Sequence, residues 1–192
     1  MQKRTIYSLL LTSLLLVCAF SLASAQNTVT FGSKNAARCE ANVLNVTVTN
    51  AGDISAFEIV AEIQSTGGGA FFDAVNVNWD PGLGVLTNRI IDLSGVDNVS
   101  PDTIRIAGML IDAGDACLAS GATVVAQVEF TTNDVCDGTI ELHGATFTCP
   151  NNPDVVASTQ FVDCATTDLV PATVTPGVVT LVNRTPTTFP TK

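Results

Sequence analysis

The chain has 192 residues, of which 46% are hydrophobic and 14% charged, and its formal net charge is −10 at pH 7. The apolar fraction is too high for a disordered chain, and the length suits one domain with a core of useful size. The acidic balance argues against nucleic acids and anionic membrane surfaces as partners.

The first 25 residues are predicted to be a secretory signal peptide. Lys3 and Arg4 give a basic start, Leu9–Phe20 is apolar, and Ala23–Ala25 is a small-x-small cleavage site. The apolar run is shorter than the roughly 20 residues that a membrane-spanning helix needs. We therefore expect a secreted protein (extracellular, periplasmic or at the cell surface) without a membrane span after cleavage. A membrane anchor, or a lipoprotein attached through Cys18, is the alternative.

Short segments of strand character, separated by turn residues, follow the leader, and no segment shows a helical apolar stripe. The predicted strands are Thr28–Phe31, two strands within Cys39–Ile63, Phe71–Trp79, Arg89–Leu93, Thr103–Ile111, Ala122–Thr131, Thr139–Thr148, Val155–Val162 and Val178–Val182. Regular short strands without helices are typical of a β-sandwich or β-barrel.

Two stretches alternate apolar and polar residues strictly, namely Cys39–Ile63 and Leu118–Phe130. The residues expected to share a buried face are Leu44, Val46 and Val48, then Phe57, Ile59, Ala61 and Ile63, and finally Val124, Ala126, Val128 and Phe130. A period of two with one apolar face indicates a sheet that is covered on one side only. Such sheets pair face to face, which predicts an all-β sandwich that binds on its surface.

Five cysteines follow the leader, and their irregular spacing without a CxxC pair argues against a zinc site. Export favours disulfide bonds. If successive strands run from end to end of the sandwich, Cys117 and Cys149 lie at one end, and the remaining three lie at the other. We therefore expect a Cys117–Cys149 bond and a bond from Cys136 to Cys39 or Cys164, with Cys39 favoured. Pairing of sequence neighbours (Cys117–Cys136, Cys149–Cys164) is the alternative, and an odd cysteine remains in each case.

No catalytic constellation is visible in the sequence. His143 is the only histidine, no Gly-x-Ser-x-Gly elbow occurs, and the acidic residues fall in turns or on outward faces. Trp79 shares a strand face with Val75 and Val77, which places it in the core rather than on a sugar-stacking platform. We expect neither an enzyme nor a bound metal or cofactor.

Three segments resemble cohesin domains: Asp53–Phe57 after a strand that ends at Asn50, Leu118–Gly121 followed by the strand Val124–Phe130, and Val174–Leu181 near the end. The resemblance implies a nine-stranded jelly-roll β-sandwich of immunoglobulin-like two-sheet architecture over residues 26–183, followed by a Thr/Pro-rich tail or linker at 184–192. Cohesins bind dockerin modules and tether secreted enzymes to scaffolds, which implies a dockerin-type partner and a link to polysaccharide-degrading assemblies.

The resemblance also implies a docking sheet, formed here by Ile54–Ile63, Thr103–Ile111 and Thr139–Ala145. Alternation predicts its outward side chains, which are Glu58, Val60, Glu62, Arg105, Ala107, Met109, Glu141 and His143. Val60 and Met109 would be exposed apolar residues on an otherwise polar face, a surface suited to a helical partner with apolar knobs and a basic rim.

The sequence thus predicts a non-catalytic binding or tethering module. Two alternatives remain open at this point. One is a carbohydrate-binding module of related fold, with a polysaccharide as ligand. The other is a cell-surface or filament subunit in which the odd cysteine or an edge strand links copies.

Overall fold

A computed structural model describes residues 26–80, 83, 88–94, 102–109, 117–135, 137–148 and 156–182. The predicted signal peptide (1–25) and the predicted tail (184–192) lie outside these ranges, so both remain predictions. Within the described ranges, no helix has the length and apolar character needed to cross a membrane.

Fifteen β-strands make up the regular structure of the described residues. They are β1 (Thr28–Phe31), β2 (Lys34–Ala37), β3 (Asn42–Asn50), β4 (Ile54–Gly67), β5 (Phe72–Trp79), β6 (Asn88–Ser94), β7 (Asp102–Met109), β8 (Gly121–Thr132), β9 (Gly138–Gly144), β10 (Thr146–Thr148), β11 (Val156–Ser158), β12 (Gln160–Asp163), β13 (Leu169–Pro171), β14 (Thr173–Thr175) and β15 (Gly177–Val182). One reason for the number is that β9 and β12 are two short strands of a single crossing beside β4. Another is that the consecutive short strands β1 and β2 lie in different sheets, as do β13 and β14.

The strands form two main sheets, as the alternation predicted. The first has the order β14-β1-β3-β8-β5. In the second, β6 and β7 lie on one side of β4, while β9 and β12 share its other side. Beyond them β15 pairs with β9 and with β2, and β13 pairs with β12. β10 and β11 form a separate antiparallel hairpin. The all-β sandwich prediction is confirmed.

The core lies between the two sheets and is built from the residues that alternation placed inward on β3 and β4. Their apolar side chains belong to one cluster of buried residues. Trp79 packs partly buried against this cluster, with its ring centroid 6.1 Å from that of Phe57. The prediction that Trp79 faces the core is therefore confirmed.

The alternation predicted for β8 fails at one point. The β3–β8 register shifts between Val46 and Thr47, because Val46 pairs with Ala126 and Thr47 with Val124. Val125 is the extra residue of a β-bulge, which changes the face that following side chains occupy. Val125 is consequently buried in the core, where the sequence placed it outward, whereas Val124 is only partly buried.

The disulfide bond of the described chain joins Cys117 to Cys164, whose Cα atoms are 6.2 Å apart. The predicted Cys117–Cys149 bond is therefore wrong, as are both bonds of the sequence-neighbour alternative. Cys39 is free and exposed, so its predicted pairing with Cys136 is also wrong. Cys136 and Cys149 themselves lie outside the described residues.

The disulfide prediction fails because it requires residues 139–148 to cross the whole sheet as one strand. β9 ends at Gly144, opposite Ala61 in the middle of β4. The β10–β11 hairpin follows, and β12 then completes the same crossing beside the first half of β4. Because β9 and β12 together make one crossing, Cys164 reaches the end of the sandwich where β8 begins, and there it meets Cys117.

Candidate functional site

The three strands predicted to form a docking sheet are neighbours in the structure. β4 lies in the middle, antiparallel to β7 on one side and to β9 on the other. Glu58, Glu62, Arg105, Ala107, Glu141 and His143 are all partly exposed, and Met109 is exposed. We call the outer surface of this sheet, extended by β12 and β13, the β4 face.

Val60 does not contribute to an exposed surface, contrary to the prediction. Its side chain is 0% exposed, yet it is absent from the cluster between the sheets, as is the buried Ala157 of β11. β10 and β11 contact β4 in this region. The hairpin thus covers the middle of the β4 face and gives Val60 a small apolar environment of its own.

An apolar row crosses the β4 face at the end where β4 begins. Its members are aligned in register on four adjacent strands: Met109 opposite Ala56, Ala56 opposite Val162, and Val162 opposite Leu169. Met109 is 42% exposed and Leu169 is 64% exposed, so two large apolar side chains at the ends of the row face solvent. The row lines a groove of about 250 Å³, which we call the β4 groove.

A diagonal ion pair between β4 and β7 also lines the β4 groove. Arg105 donates through Nη2 and Nε to Glu58 Oε1, at 2.6 and 2.7 Å, and Gln160 Nε2 donates to Glu58 Oε2 at 3.2 Å. Both charged side chains are mostly buried, so solvent screens the pair less than it would screen an exposed pair. Because each charge is compensated within the face, the groove favours an uncharged side chain from a partner.

The other end of the β4 face is polar. Glu62 and His143 are register partners on β4 and β9, and their side chains approach to 3.4 Å (Oε2 to Nε2). Glu141 lies opposite Gln64 in the same ladder. The predicted contact residues therefore separate into two groups, with the covered Val60 between them.

Structural comparison places this architecture among known proteins. The chain is similar to the seventh ScaB type I cohesin from Pseudobacteroides cellulosolvens, with a TM-score of 0.60 and 14% identity over 87% of this chain and 99% of that one. It is similar to the sixth cohesin of scaffoldin B from Acetivibrio cellulolyticus, solved in complex with a Cel5 dockerin, with a TM-score of 0.55 and 14% identity over 82% and 99% of the two chains. A non-cellulosomal cohesin from the archaeon Archaeoglobus fulgidus gives a TM-score of 0.51 and 14% identity over 83% and 93%. The chain has a cohesin-like fold. No protein-family model and no curated protein matches the sequence.

The far wall of the β4 groove in this cohesin-like fold was missed by the sequence interpretation. It consists of Gln160 and Val162 on β12 and Leu169 on β13. Gln160 and Val162 lie at alternate positions of a predicted strand, a signal that was available. Leu169 could not be placed from the sequence, because a three-residue strand after a turn carries no periodicity.

A tight turn joins β12 to β13. Asp163 Oδ1 accepts hydrogen bonds from the backbone N–H of Ala165 and of Thr166, both at 2.8 Å, and from Thr166 Oγ1 at 3.1 Å. The backbone hydrogen bonds from Thr166 and Ala165 hold the pKa of Asp163 below its ordinary value, because they stabilise the charged carboxylate. This turn sets the direction in which the chain enters β13 and presents Leu169.

The β4 face combines exposed apolar side chains with charged ones. Among the described residues, no three His, Cys, Asp or Glu side chains are grouped so that they could hold a metal ion. Arg105 and Glu58 form an ion pair between β7 and β4, and the side chains of Glu62 and His143 are in contact between β4 and β9. Such an arrangement can hold a partner through apolar burial and charge complementarity.

Proposed function

We propose that this chain is a secreted, non-catalytic binding module that docks a dockerin-type protein on the β4 face. In this proposal it tethers secreted proteins to an assembly, with a link to polysaccharide degradation. Support comes from the cohesin-like fold together with neighbours solved as cohesin–dockerin complexes from Acetivibrio cellulolyticus and Clostridium thermocellum. The observation that carries the proposal to a particular surface is the in-register apolar row from Met109 to Leu169.

The chemistry of the β4 groove defines what a partner must present. Burial of exposed apolar surface is the main gain, at about 25 cal/mol per Å². Met109 and Leu169 offer that surface at the two ends of the apolar row, next to a compensated ion pair. A helix that brings one aliphatic side chain to the groove, with basic residues facing Glu62 and Glu141, matches both the shape and the charge.

Substitution of Met109 tests the proposal. We expect Met109→Asp to weaken binding of a dockerin-type module at least about tenfold, because a carboxylate in the contact must lose its water without a partner charge. Val43→Asp is the matched control: Val43 is 39% exposed on the first sheet, so the substitution is similar but on the opposite side of the sandwich.

The measurement is calorimetric titration against the dockerin modules encoded in the same genome, recognised by duplicated calcium-binding loops, with Ca²⁺ and with chelator. Binding that requires Ca²⁺, survives Val43→Asp and is lost with Met109→Asp supports the proposal. If no module binds, or if both variants bind like the unmodified chain, dockerin docking on the β4 face is refuted.

A carbohydrate-binding function lacks a platform in the described residues. Trp79 packs toward the core against Phe57 and is not presented to solvent as a flat ring. Strong retention of the protein on insoluble cellulose or chitin, unaffected by Met109→Asp, would favour that alternative over the proposed one.

A further inference from the structure

We propose that the Cys117–Cys164 disulfide holds the far wall of the β4 groove in place, so that the partner-binding surface is complete only in the oxidised chain. The docking part of this inference rests on the proposed function. The structural part concerns β12 and β13 alone.

The disulfide lies directly beside the groove wall. Cys164 follows the last residue of β12, and Cys117 precedes β8 in the opposite sheet. The bond therefore ties the end of β12 in one sheet to the start of β8 in the other. Two further backbone contacts occur at the same place: Ile54 and Leu118 exchange hydrogen bonds, and Cys164 N–H donates to Asp53 O at 2.9 Å.

The outer strand of the wall, β13, has few other attachments. β12 and β13 contain four and three residues, and the described pairing of β13 is to β12. The pairing of β12 with β4 shifts between Val162 and Asp163, just before the cysteine. β13 is thus a short edge strand, which opens at low cost because few hydrogen bonds must break together, whereas β12 is also anchored by Phe161 in the core.

Leu169 gains little from packing in its observed position. It is 64% exposed, so burial does not fix its side chain at the edge of the groove. Thr167, two residues before Leu169, has φ 60°. This is a left-handed conformation that a β-branched residue adopts only under constraint from its surroundings. The turn is constrained at its start by Asp163 and by the covalent bond of Cys164.

Opening of the bond is a two-electron thiol–disulfide exchange with a thiol reductant, RSH. Two RSH molecules give one RSSR, and the two electrons and two protons appear on the Cys117 and Cys164 thiols. Closure is the reverse exchange with a disulfide oxidant, which takes up the two electrons and two protons and leaves as two thiols. Loss of the bond releases a loop whose ends are 47 residues apart in sequence, which raises the freedom of the β12–β13 segment.

Three forms of the full chain distinguish these effects: the oxidised protein, the protein after a thiol reductant, and the double variant Cys117→Ser, Cys164→Ser. Cys39→Ser is the control for thiol chemistry outside the wall, because Cys39 is free and exposed. Hydrogen exchange of peptides covering residues 160–171 reports on the wall without a partner, and peptides covering 44–48 report on the core.

We expect the reduced protein and the double variant to exchange faster at 160–171 through a local opening that a low denaturant concentration does not accelerate, whereas exchange at 44–48 should rise only as far as the lower global stability requires. We expect both forms to bind the dockerin module about tenfold more weakly. Reoxidation should restore the slow exchange at 160–171 and the dockerin affinity, and Cys39→Ser should leave both unchanged. Unchanged exchange at 160–171 would overturn the inference while leaving the proposed function intact. Exchange at 160–171 that rises only together with 44–48, and with the same denaturant dependence, would also overturn it, because the bond would then stabilise the whole domain rather than the wall. If the wall loosens but no dockerin module binds the oxidised protein, the proposed function fails, and with it the docking part of the inference.

Discussion

Individual polar residues hold the two sheets together at the end of the sandwich where the disulfide lies. Asn50 is buried at the end of β3, and its Nδ2 donates to Gly52 O at 2.7 Å, to Ala119 O at 3.1 Å and to Leu118 O at 3.3 Å. One side chain therefore links the β3–β4 turn to the entry of β8. Such a buried donor costs little while it is satisfied and a great deal once its partners are lost.

Asn50→Asp tests this role with almost no change in shape. The substitution removes the donor and directs a carboxylate at three carbonyl oxygens, so we expect a loss of about 3 kcal/mol or more in the free energy of unfolding. Denaturant unfolding provides the measurement. Asn76→Asp, on the exposed surface of β5, is the control and should change stability by less than about 0.5 kcal/mol. Equal effects of the two substitutions would contradict the assigned role.

Asp163 makes the turn before β13 dependent on pH. Its pKa is lowered from an ordinary value of 3.8, chiefly by the backbone N–H groups of Thr166 and Ala165. Since the folded-state pKa lies below the unfolded-state value, the carboxylate stabilises the fold above about pH 4, and this stabilisation is lost as the pH falls through the folded-state pKa. We expect Asp163→Ala to lower the Tm at neutral pH and the difference from the unmodified chain to shrink below about pH 4. A Tm difference that stays constant from pH 7 to pH 3 would show that the ionised Asp163 carboxylate is not the cause. Asp73→Ala, at an exposed site on β5, is the control substitution.

At the level of the elements, the interruption between β9 and β12 determines both the disulfide and the shape of the β4 face. β9 stops opposite Ala61 and β12 starts opposite Glu58, so Val60 has no partner strand at the gap. Thr159 fills it: its Oγ1 accepts from Val60 N–H at 3.0 Å and donates to Val60 O at 3.2 Å. Ala145 N–H also donates to Val60 O, at 3.2 Å. One hydroxyl thus replaces the missing ladder bonds and allows the hairpin to leave the sheet.

Thr159→Val keeps the shape and removes the hydroxyl. The buried N–H of Val60 then lacks an acceptor, and we expect a loss of about 1–3 kcal/mol in the free energy of unfolding. Hydrogen exchange should show faster exchange at Val60 than in the unmodified chain. Thr175→Val at an exposed position of β14 should leave both readings unchanged, and if Thr159→Val does the same, the hydroxyl is not what closes the gap.

For the whole molecule, the disulfide joins the two sheets. It also closes a loop in the unfolded chain and so lowers the conformational entropy of the unfolded state. The bonded cysteines are 47 residues apart, for which the chain-entropy model gives a stabilisation of about 4 kcal/mol. Such an amount is a large fraction of the stability of a typical domain. The bond and the β3–β4–β8 contacts around it therefore support one another at one end of the sandwich.

Mass spectrometry of unreduced peptides should find Cys117 linked to Cys164, and the double serine variant should unfold at lower denaturant with about 4 kcal/mol less stability. Of these two measurements, the cysteine linkage tests the strand order directly. Detection of a Cys117–Cys149 peptide would overturn the topology described for β9–β12, because Cys149 reaches that end of the sandwich only if residues 139–148 cross the sheet unbroken.

The amino-acid sequence by itself determined the fold class, the inward faces of β3 and β4, the core position of Trp79 and the three neighbouring strands of the β4 face. The fold class, the inward faces and the position of Trp79 follow from local periodicity, because a strand that buries one face must alternate. The grouping of the three strands came from the resemblance to cohesin domains. The sequence also selected Met109 and the Glu58, Glu62, Arg105, Glu141 and His143 positions, which the structure leaves partly or fully exposed.

Only the tertiary structure decided the rest. The bulge at Val125, the hairpin over Val60, the Cys117–Cys164 bond and the placement of Leu169 beside Val162 all depend on which strand lies next to which. Alternation within a strand carries no information on an interruption in its neighbour, and a three-residue strand has no period to detect. The physical reason is that these contacts join residues distant in sequence, whose proximity is set by the packing of the two sheets as a whole.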